Sequence, residues 1–204
     1  MNIRSKLASS VMTLAFVSIS ALSVSAQQFA SRSTRATTLP PTSTISTLYT
    51  NDPIANTLCF ADGKEGGVFQ DGEARNRCSH IEFDRYKAGN LSVGIEGGEL
   101  GTILDLGTSG DLHTNNQAFP GIHFIDGKVL LLITIQRKET RQELTQAAQI
   151  FQDSKGIASV EAKSGHIYLA RITDRYNKDF QILVKLLVLT ARPGESVTFR
   201  WELL

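Results

Sequence analysis

The segment from Cys78 to Asp84 contains the residue types that come nearest to a reactive site. It reads Cys-Ser-His-Ile-Glu-Phe-Asp, which places His80 and Glu82 two positions apart. Because successive side chains of a β-strand point to opposite faces, a strand here would put His80, Glu82 and Asp84 on one face. An imidazole beside carboxylates can bind a divalent metal ion or exchange protons. The alternative is that these are the solvent-facing residues of an amphipathic strand.

His113 and His123 extend this candidate site. They lie ten positions apart, on either side of a segment rich in turn residues. Their spacing matches no standard zinc or calcium pattern, so the sequence predicts no cofactor. The four residues His80, Glu82, His113 and His123 are the ligand set that a metal-dependent enzyme would have to use. The alternative is that both histidines of the second pair are ordinary surface residues.

Cys59 and Cys78 are the only two cysteines of the chain. Their separation is not the short spacing of a zinc-binding pair, and no motif for a nucleophilic thiol surrounds them. In an oxidising compartment two such cysteines are typically paired. We therefore predict a disulfide, which would stabilise the fold by about 3 kcal/mol in the chain-entropy model.

The first 26 residues have the three parts of a secretory signal peptide. Arg4 and Lys6 give a basic start, Val11 to Leu22 form a short apolar core, and Val24-Ser25-Ala26 supplies small residues for cleavage. We predict cleavage after Ala26 and a secreted or periplasmic mature protein. The alternative, an uncleaved membrane anchor, needs about 20 apolar residues and fits less well. No later segment is long enough to span a membrane, so none is predicted in the mature chain.

The charge balance limits the partners of the mature protein. Removal of residues 1–26 takes away two basic residues and no acidic residue, which changes the net charge from +1 to −1. A nucleic-acid partner requires a concentration of basic residues, and none is present. The expected partner is therefore an unknown protein, glycan or small molecule.

Residues 27–50 and 51–204 differ sharply in composition. The stretch from Ser31 to Thr47 has 12 Ser, Thr or Pro residues among 17. Such a composition buries little apolar surface, so we predict a disordered tether over residues 27–50. Residues 51–204 are then expected to form a single β-rich globular domain.

Period-two hydrophobic patterns dominate this domain and predict an all-β fold. The pattern is clearest in three C-terminal segments, which lie within residues 166–172, 180–189 and 197–202 and are separated by polar turns. Shorter strands are predicted near 57–61, 66–70, 77–84, 90–96, 101–106, 121–125, 128–135 and 157–162. The expected architecture is an antiparallel β-sandwich, jelly-roll-like, with a closed β-barrel as the alternative.

One segment departs from the strand pattern. Thr140 and Glu143 have the spacing of a helix capping box, and Leu144, Ala147 and Phe151 follow at helical spacing. The sequence therefore predicts one short α-helix near residues 140–153.

The C-terminal pattern also supports a limited resemblance. The stretch Gly165 to Ile172, followed by a polar turn and by Val184-Lys185-Leu186, resembles the strand–turn–strand endings of many bacterial exported β-sandwich proteins. The resemblance covers about 40 residues and implies fold only, since fold does not determine function.

The sequence motifs leave enzymatic activity undecided and favour a non-enzymatic role. The glycine cluster from Gly94 to Gly110 lacks the lysine of a phosphate-binding loop, and there is no G-x-S-x-G motif. The leading hypothesis is an exported β-sandwich with a binding or structural role in the cell envelope or extracellular space. One alternative is a small secreted hydrolase or metal-dependent enzyme. The other is a carrier of a small apolar ligand.

Overall fold

The computed structural model describes residues 44–50, 52, 55–65, 69–70, 73–74, 78–84, 87–95, 98–114, 117–136, 138–151 and 158–204. The chain divides into two compact units, and all of the described residues belong to the second, Thr37–Leu204. The predicted signal peptide, its cleavage position after Ala26, and residues 27–43 of the predicted tether lie outside the described residues.

Fourteen strands and one 3₁₀ helix are formed by the described residues. The strands are β1 (Thr44–Tyr49), β2 (Thr57–Leu58), β3 (Phe69–Gln70), β4 (Glu73–Ala74), β5 (Ile81–Phe83), β6 (Asn90–Val93), β7 (Glu99–Thr108), β8 (Gly121–Ile125), β9 (Lys128–Ile135), β10 (Lys138–Glu143), β11 (Ser159–Glu161), β12 (His166–Asp174), β13 (Gln181–Arg192) and β14 (Ser196–Leu203). The 3₁₀ helix spans Thr145–Phe151, between β10 and β11.

The strands form antiparallel sheets. The largest sheet has five strands in the order β1-β14-β13-β12-β7, and we call it the central sheet. A second sheet has the order β11-β6-β5-β2, a third has the order β10-β9-β8, and β3 pairs with β4. The strand orders have free ends, so within the described residues none of these sheets closes into a barrel. The all-β class and the antiparallel sandwich predicted from the sequence are confirmed.

Two hydrophobic cores lie on opposite faces of the central sheet, because alternate residues of its strands point in opposite directions. On one face, Tyr168 and Ala170 of β12 pack with Ile81 and Leu91 of the four-stranded sheet; we call this the first core. On the other face, Ile167 and Leu169 pack with residues of β8, β9 and the 3₁₀ helix; we call this the second core.

The predicted α-helix near residues 140–153 is corrected by the structure. Thr140 and Glu143, the supposed capping box, belong to β10, where Glu143 pairs with Leu130 of β9. The helix begins at Thr145 and is a 3₁₀ helix. Its buried side chains, Ala147 and Ile150, are three positions apart, which matches three residues per turn. Residues 152 and 153 lie outside the described part of the chain.

Part of the predicted tether also proves to be ordered. Thr44–Tyr49 forms β1 and pairs with β14 over six residues. Threonine has a high β propensity, and the Thr47 and Thr198 hydroxyls, 2.9 Å apart, form a hydrogen bond across the two strands. Leu48 is fully buried in the first core, so this end of the Ser/Thr-rich stretch does bury apolar surface.

Candidate functional site

His80 is buried at the edge of the first core and is held by contacts on both ring nitrogens. The Phe60 N–H donates to Nδ1 at 3.0 Å, which makes Nδ1 an acceptor and assigns the ring proton to Nε2. Nε2 lies 3.4 Å from the Glu99 carboxylate and 3.3 Å from Cys78 Sγ. A protonated Nε2 is a donor and not a metal ligand.

The electrostatics of His80 agree with this assignment. Burial lowers the pKa of the imidazole to about 4, against an opposing contribution from the negative charge of Asp62. The ring is therefore neutral at neutral pH, so its contact with Glu99 is not a salt bridge. Phe60 and Phe180 lie on either side, each with its ring centroid 6.0 Å from that of His80.

Glu82 lies apart from His80 although only one residue separates them. It is fully buried in β5, in register with Thr57 of β2 and Ser92 of β6. The predicted alternation places Ile81 in the first core, as expected. His80 does not continue this alternation, because it precedes the strand and contacts the aromatic residues of that core. The alternative interpretation, that both residues face solvent, is wrong for both.

His113 and His123 occupy two further places. His113 lies in the turn after β7 with a φ of 53°, and its side chain is exposed. His123 is exposed on β8. Among the described residues, only Cys59, Cys78 and His80 bring three potential ligand atoms within 4.8 Å of one another. The structure therefore does not bring the four predicted ligands together.

The predicted disulfide between Cys59 and Cys78 is present and accounts for two of those three ligand atoms. A disulfide sulfur is not a thiolate, so it does not supply the ligand that zinc requires. The bond links the segment after β2 to the segment before β5. It also holds the loop that carries Phe60 beside His80, which fixes the donor to Nδ1.

A cleft of about 310 Å³ lies at the start of β7, and Glu99 is one of the residues that line it. Its walls come from three stretches of chain: the start of β7 with Glu99 and Thr102, the end of β12 with Arg171 and Thr173, and the following residue Arg175. Leu100, Gly94, Gly101 and Ala158 complete its lining. Two arginines and two threonines make it a polar site.

Two glycines permit the close crossing that forms one wall of the cleft. A Cβ on Gly94 would lie 2.2 Å from the Gly101 nitrogen, and a Cβ on Gly101 would lie 2.4 Å from the Val93 carbonyl. Both distances are far below any real contact, so the end of β6 can approach β7 only where both residues lack a side chain. Gly94 also has a φ of 70°, which favours glycine. These glycines allow the two backbone segments to approach each other, and they do not form a phosphate-binding motif.

The two arginines of the cleft are held differently. Arg171 is half-buried; its Nε donates to Gln181 Oε1 at 3.0 Å, and its guanidinium lies 5.5 Å from the centre of the Phe151 ring. Arg175 is exposed, and its backbone N–H donates to the Gly98 carbonyl at 2.9 Å. One guanidinium is thus oriented in advance and the other can adjust, which suits recognition of a carboxylate or phosphate.

Comparison with family models, curated proteins and solved structures finds no match for this chain.

The sequence pattern identified His80 but not the residues that surround the cleft. Glu99 is 19 positions away from His80. Arg171 lies on β12, which pairs with β7 so that Arg171 is in register with Thr102, and Arg175 directly follows that strand. Arg171 did carry one signal, since it alternates with the apolar residues Ala170 and Ile172 on a predicted strand, whereas Arg175 falls in a predicted polar turn. Nothing local distinguished the face of Arg171 from an ordinary solvated one.

Proposed function

We propose that this chain is an exported, non-enzymatic binding protein whose binding site is the cleft between β7 and β12. The observation that carries the proposal is a polar cleft whose lining includes Arg171, Arg175 and two threonines, Thr102 and Thr173. Such a site offers fixed and adjustable cationic groups to a small polar ligand. Its volume of about 310 Å³ is at the lower end of the usual range for small-molecule sites.

Two observations support the export part of the proposal. Residues 1–26 have the pattern of a secretory signal peptide. The Cys59–Cys78 disulfide suits an oxidising compartment such as the periplasm or the extracellular space. Among the described residues there is no helix long and apolar enough to cross a membrane.

A binding role is favoured over catalysis by the state of His80. Its pKa of about 4 keeps the imidazole neutral at neutral pH, and both ring nitrogens have partners. A general base should have a pKa near the working pH and reach the substrate, whereas this ring is only 3 % exposed. His80 therefore serves to position Glu99.

A binding role is also favoured over an apolar carrier. The space between the central and four-stranded sheets is filled by large side chains such as Trp201, Phe60 and Phe83, all essentially inaccessible to solvent. An apolar carrier needs a cavity lined by apolar groups. The cleft is instead polar and lies at the edge of the central sheet.

The export part is tested by expressing the full chain and fractionating the cells. We expect the product outside the cytoplasm with Gln27 as its first residue, and an Ala26→Lys variant that is not cleaved, because a large charged residue does not fit the cleavage position. An uncleaved wild-type chain in the cytoplasm would contradict export.

The binding part is tested by thermal unfolding of the mature protein with a panel of small sugars, carboxylates and phosphates. We expect at least one compound to raise the Tm of the wild type and not that of Arg175→Gln, since a ligand that binds the native state stabilises it. Arg192→Gln is the matched control, because Arg192 is exposed at the end of β13, outside the cleft. If every stabilising compound acts equally on Arg175→Gln, the cleft is not the binding site.

A further inference from the structure

We infer that the free edge of β10 joins two copies of this chain, through antiparallel pairing with β10 of the second copy about a two-fold axis at Thr140. This edge belongs to the three-stranded sheet and shares no residue with the cleft, so the inference goes beyond the proposed binding function. β10 is the outermost strand in the order β10-β9-β8, and among the described residues it pairs only with β9. Its other edge therefore presents backbone N–H and C=O groups to which a further strand can bond.

β10 extends past the second core, which leaves this edge accessible. Thr140 and Gln142 are in register with Ile133 and Leu131, which are both buried in that core, yet every side chain of β10 is exposed. The pairing with β9 therefore holds the strand in place. A further strand can be added beside it without any rearrangement of the core.

The charges of β10 alternate in sign along one face. Glu139, Arg141 and Glu143 share that face because they are two positions apart. Glu139 and Arg141 are 51 % and 60 % exposed, and their 3.4 Å contact within the chain is an exposed ion pair. A row of like charges on an edge repels a copy of itself in every register. Alternating charges instead permit pairing in a register that places opposite charges face to face.

The bonding pattern of antiparallel strands limits the symmetric registers. Two residues that lie directly opposite each other must either both bond across the pair or both point away from it. Alternate residues of β10 already bond to β9, so a two-fold axis has to pass through a residue and not between two residues. An axis through any charged residue of the strand would place like charges directly opposite each other; these residues are Lys138, Glu139, Arg141 and Glu143.

Of the two uncharged residues, Thr140 provides the better axis. An axis through Gln142 would place Thr140 opposite Leu144, which is buried in the second core and cannot join an added pair. An axis through Thr140 keeps the pairing within β10. It places Glu139 of each copy opposite Arg141 of the other copy.

The resulting contact joins two exposed ion pairs into one network of four charges. Glu139 and Arg141 already meet within each chain, so each carboxylate would lie between two guanidinium groups. A carboxylate has two oxygens and a guanidinium group has five N–H donors, so both contacts of each group can coexist. On the other face of the sheet, Lys138 lies opposite the uncharged Gln142. A contact about a two-fold axis is closed, so it produces a dimer and not a fibre.

The test is sedimentation velocity of the mature protein, residues 27–204, at concentrations from about 5 to 500 μM. A contact of one strand pair is small, so we expect a reversible dimer with a dissociation constant of about 10–100 μM. Glu139→Arg and Arg141→Glu should each raise that constant by about tenfold or more, because like charges then face each other at both symmetric positions. Arg192→Glu is the matched control. It also reverses an exposed arginine that is ion-paired within its own chain, and it should leave the constant within about twofold.

An equimolar mixture of the two single variants separates pairing between copies from a local effect. The chain with Glu139→Arg is positively charged at both positions and the chain with Arg141→Glu is negatively charged at both, so a mixed pair again has opposite charges face to face. The mixture should associate with a constant within about threefold of the wild type, although neither chain keeps its internal ion pair. The double variant Glu139→Arg, Arg141→Glu should also dimerise like the wild type. Circular dichroism spectra equal to that of the wild type confirm that the variants are folded.

Three results would overturn the inference. The first is a wild type that stays monomeric at the highest concentration. The second is a dimer that both single variants leave unchanged, because its contact would lie elsewhere on the molecule. The third is a mixture that stays as monomeric as the single variants, because the register about Thr140 would then be excluded. Arg175→Gln lies outside β10 and should dimerise like the wild type, so failure of the cleft proposal would leave this inference unaffected.

Discussion

The two faces of the central sheet are filled by different kinds of residue. The first core contains the largest buried side chains of the described chain, among them Trp201, Tyr168, Phe60 and Phe83. The second core is built mainly from leucine, isoleucine and valine, and it is covered by β8, β9 and the 3₁₀ helix. The sheet thus has an aromatic face and an aliphatic face.

Each face also has a buried basic side chain at its margin, His80 on one and Lys185 on the other, and the two are stabilised in opposite ways. His80, beside the first core, is kept neutral and bonds a backbone N–H and Glu99. Lys185, only 2 % exposed, lies beside the second core; its Nζ donates to the Pro120 carbonyl at 2.7 Å and lies 3.0 Å from Glu202 Oε2. The comparison indicates that a buried ionisable group persists either by losing its charge or by gaining a partner for it.

The largest expected effect is a loss in the free energy of unfolding. It should be greater when a large aromatic side chain of the first core is removed than when a leucine of the second core is removed. Trp201→Ala should lower the free energy of unfolding by about 4 kcal/mol, because it opens a large cavity and removes the indole N–H bond to Ser46 Oγ on β1. Leu169→Ala, the matched truncation in the second core, should cost about 3 kcal/mol. Urea unfolding at neutral pH measures both. Ser46→Ala isolates the hydrogen bond and should cost about 1 kcal/mol.

The expected difference between the two cores would be contradicted if Leu169→Ala lowered the free energy of unfolding clearly more than Trp201→Ala did. Such a result would show that the aliphatic core, with its single covering layer, carries more of the stability than the aromatic core. Equal denaturant slopes for the variants and the wild type are needed for the values to be compared.

The second prediction concerns the neutral state of His80. Its folded pKa of about 4 lies below the unfolded value of 6.5, so the unfolded state binds more protons between these two values and stability rises with pH there. On acidification, stability should fall through this window by about 3 kcal/mol and the loss should be complete below about pH 4. Urea unfolding from pH 7 to pH 4 measures it.

The variant His80→Asn separates this contribution from the carboxyl groups that titrate in the same range. An asparagine side-chain oxygen can still accept the Phe60 N–H, but it does not titrate. The variant should be less stable at pH 7 and should lose the part of the slope between pH 6.5 and pH 4 that His80 causes. Leu169→Ala should keep the full slope at a lower stability. An unchanged slope in His80→Asn would show that the imidazole is not held neutral.

The fold could be predicted from sequence where the pattern is local. The strands β12 to β14 were found because apolar residues alternate in them and polar turns separate them. β10 was missed because all six of its side chains are exposed, so it has no apolar period to detect. β1 was missed because its threonines and serine resemble a tether, and its partner β14 lies at the other end of the chain.

The site was predictable only in part, for the same physical reason. The Cys59–Cys78 bond followed from composition and compartment. His80 was singled out by its residue type, but its role depends on Phe60 and Glu99, which the chain brings close only after two sheets have packed. The register between β7 and β12 that forms the cleft is set by side-chain packing across the central sheet, which no local pattern contains.

A smaller effect than those of Trp201→Ala, Leu169→Ala and the protonation of His80 is expected for the charged group of the aliphatic face. Lys185→Met should cost about 2 kcal/mol, because the Pro120 carbonyl loses its donor and the Phe119 ring loses the ammonium group 4.0 Å from its centre. Glu202 is 31 % exposed, so water can solvate its carboxylate once the lysine is absent, which keeps the loss below that of a fully buried pair. Urea unfolding at pH 7 measures the loss. The double variant Lys185→Met, Glu202→Met should recover part of it, since no unpaired carboxylate remains. If Lys185→Met is as stable as the wild type, the free-energy cost of burying the ammonium group equals the stabilisation that its partners provide. His80 and Lys185 then differ less in their effect on stability than their contacts indicate.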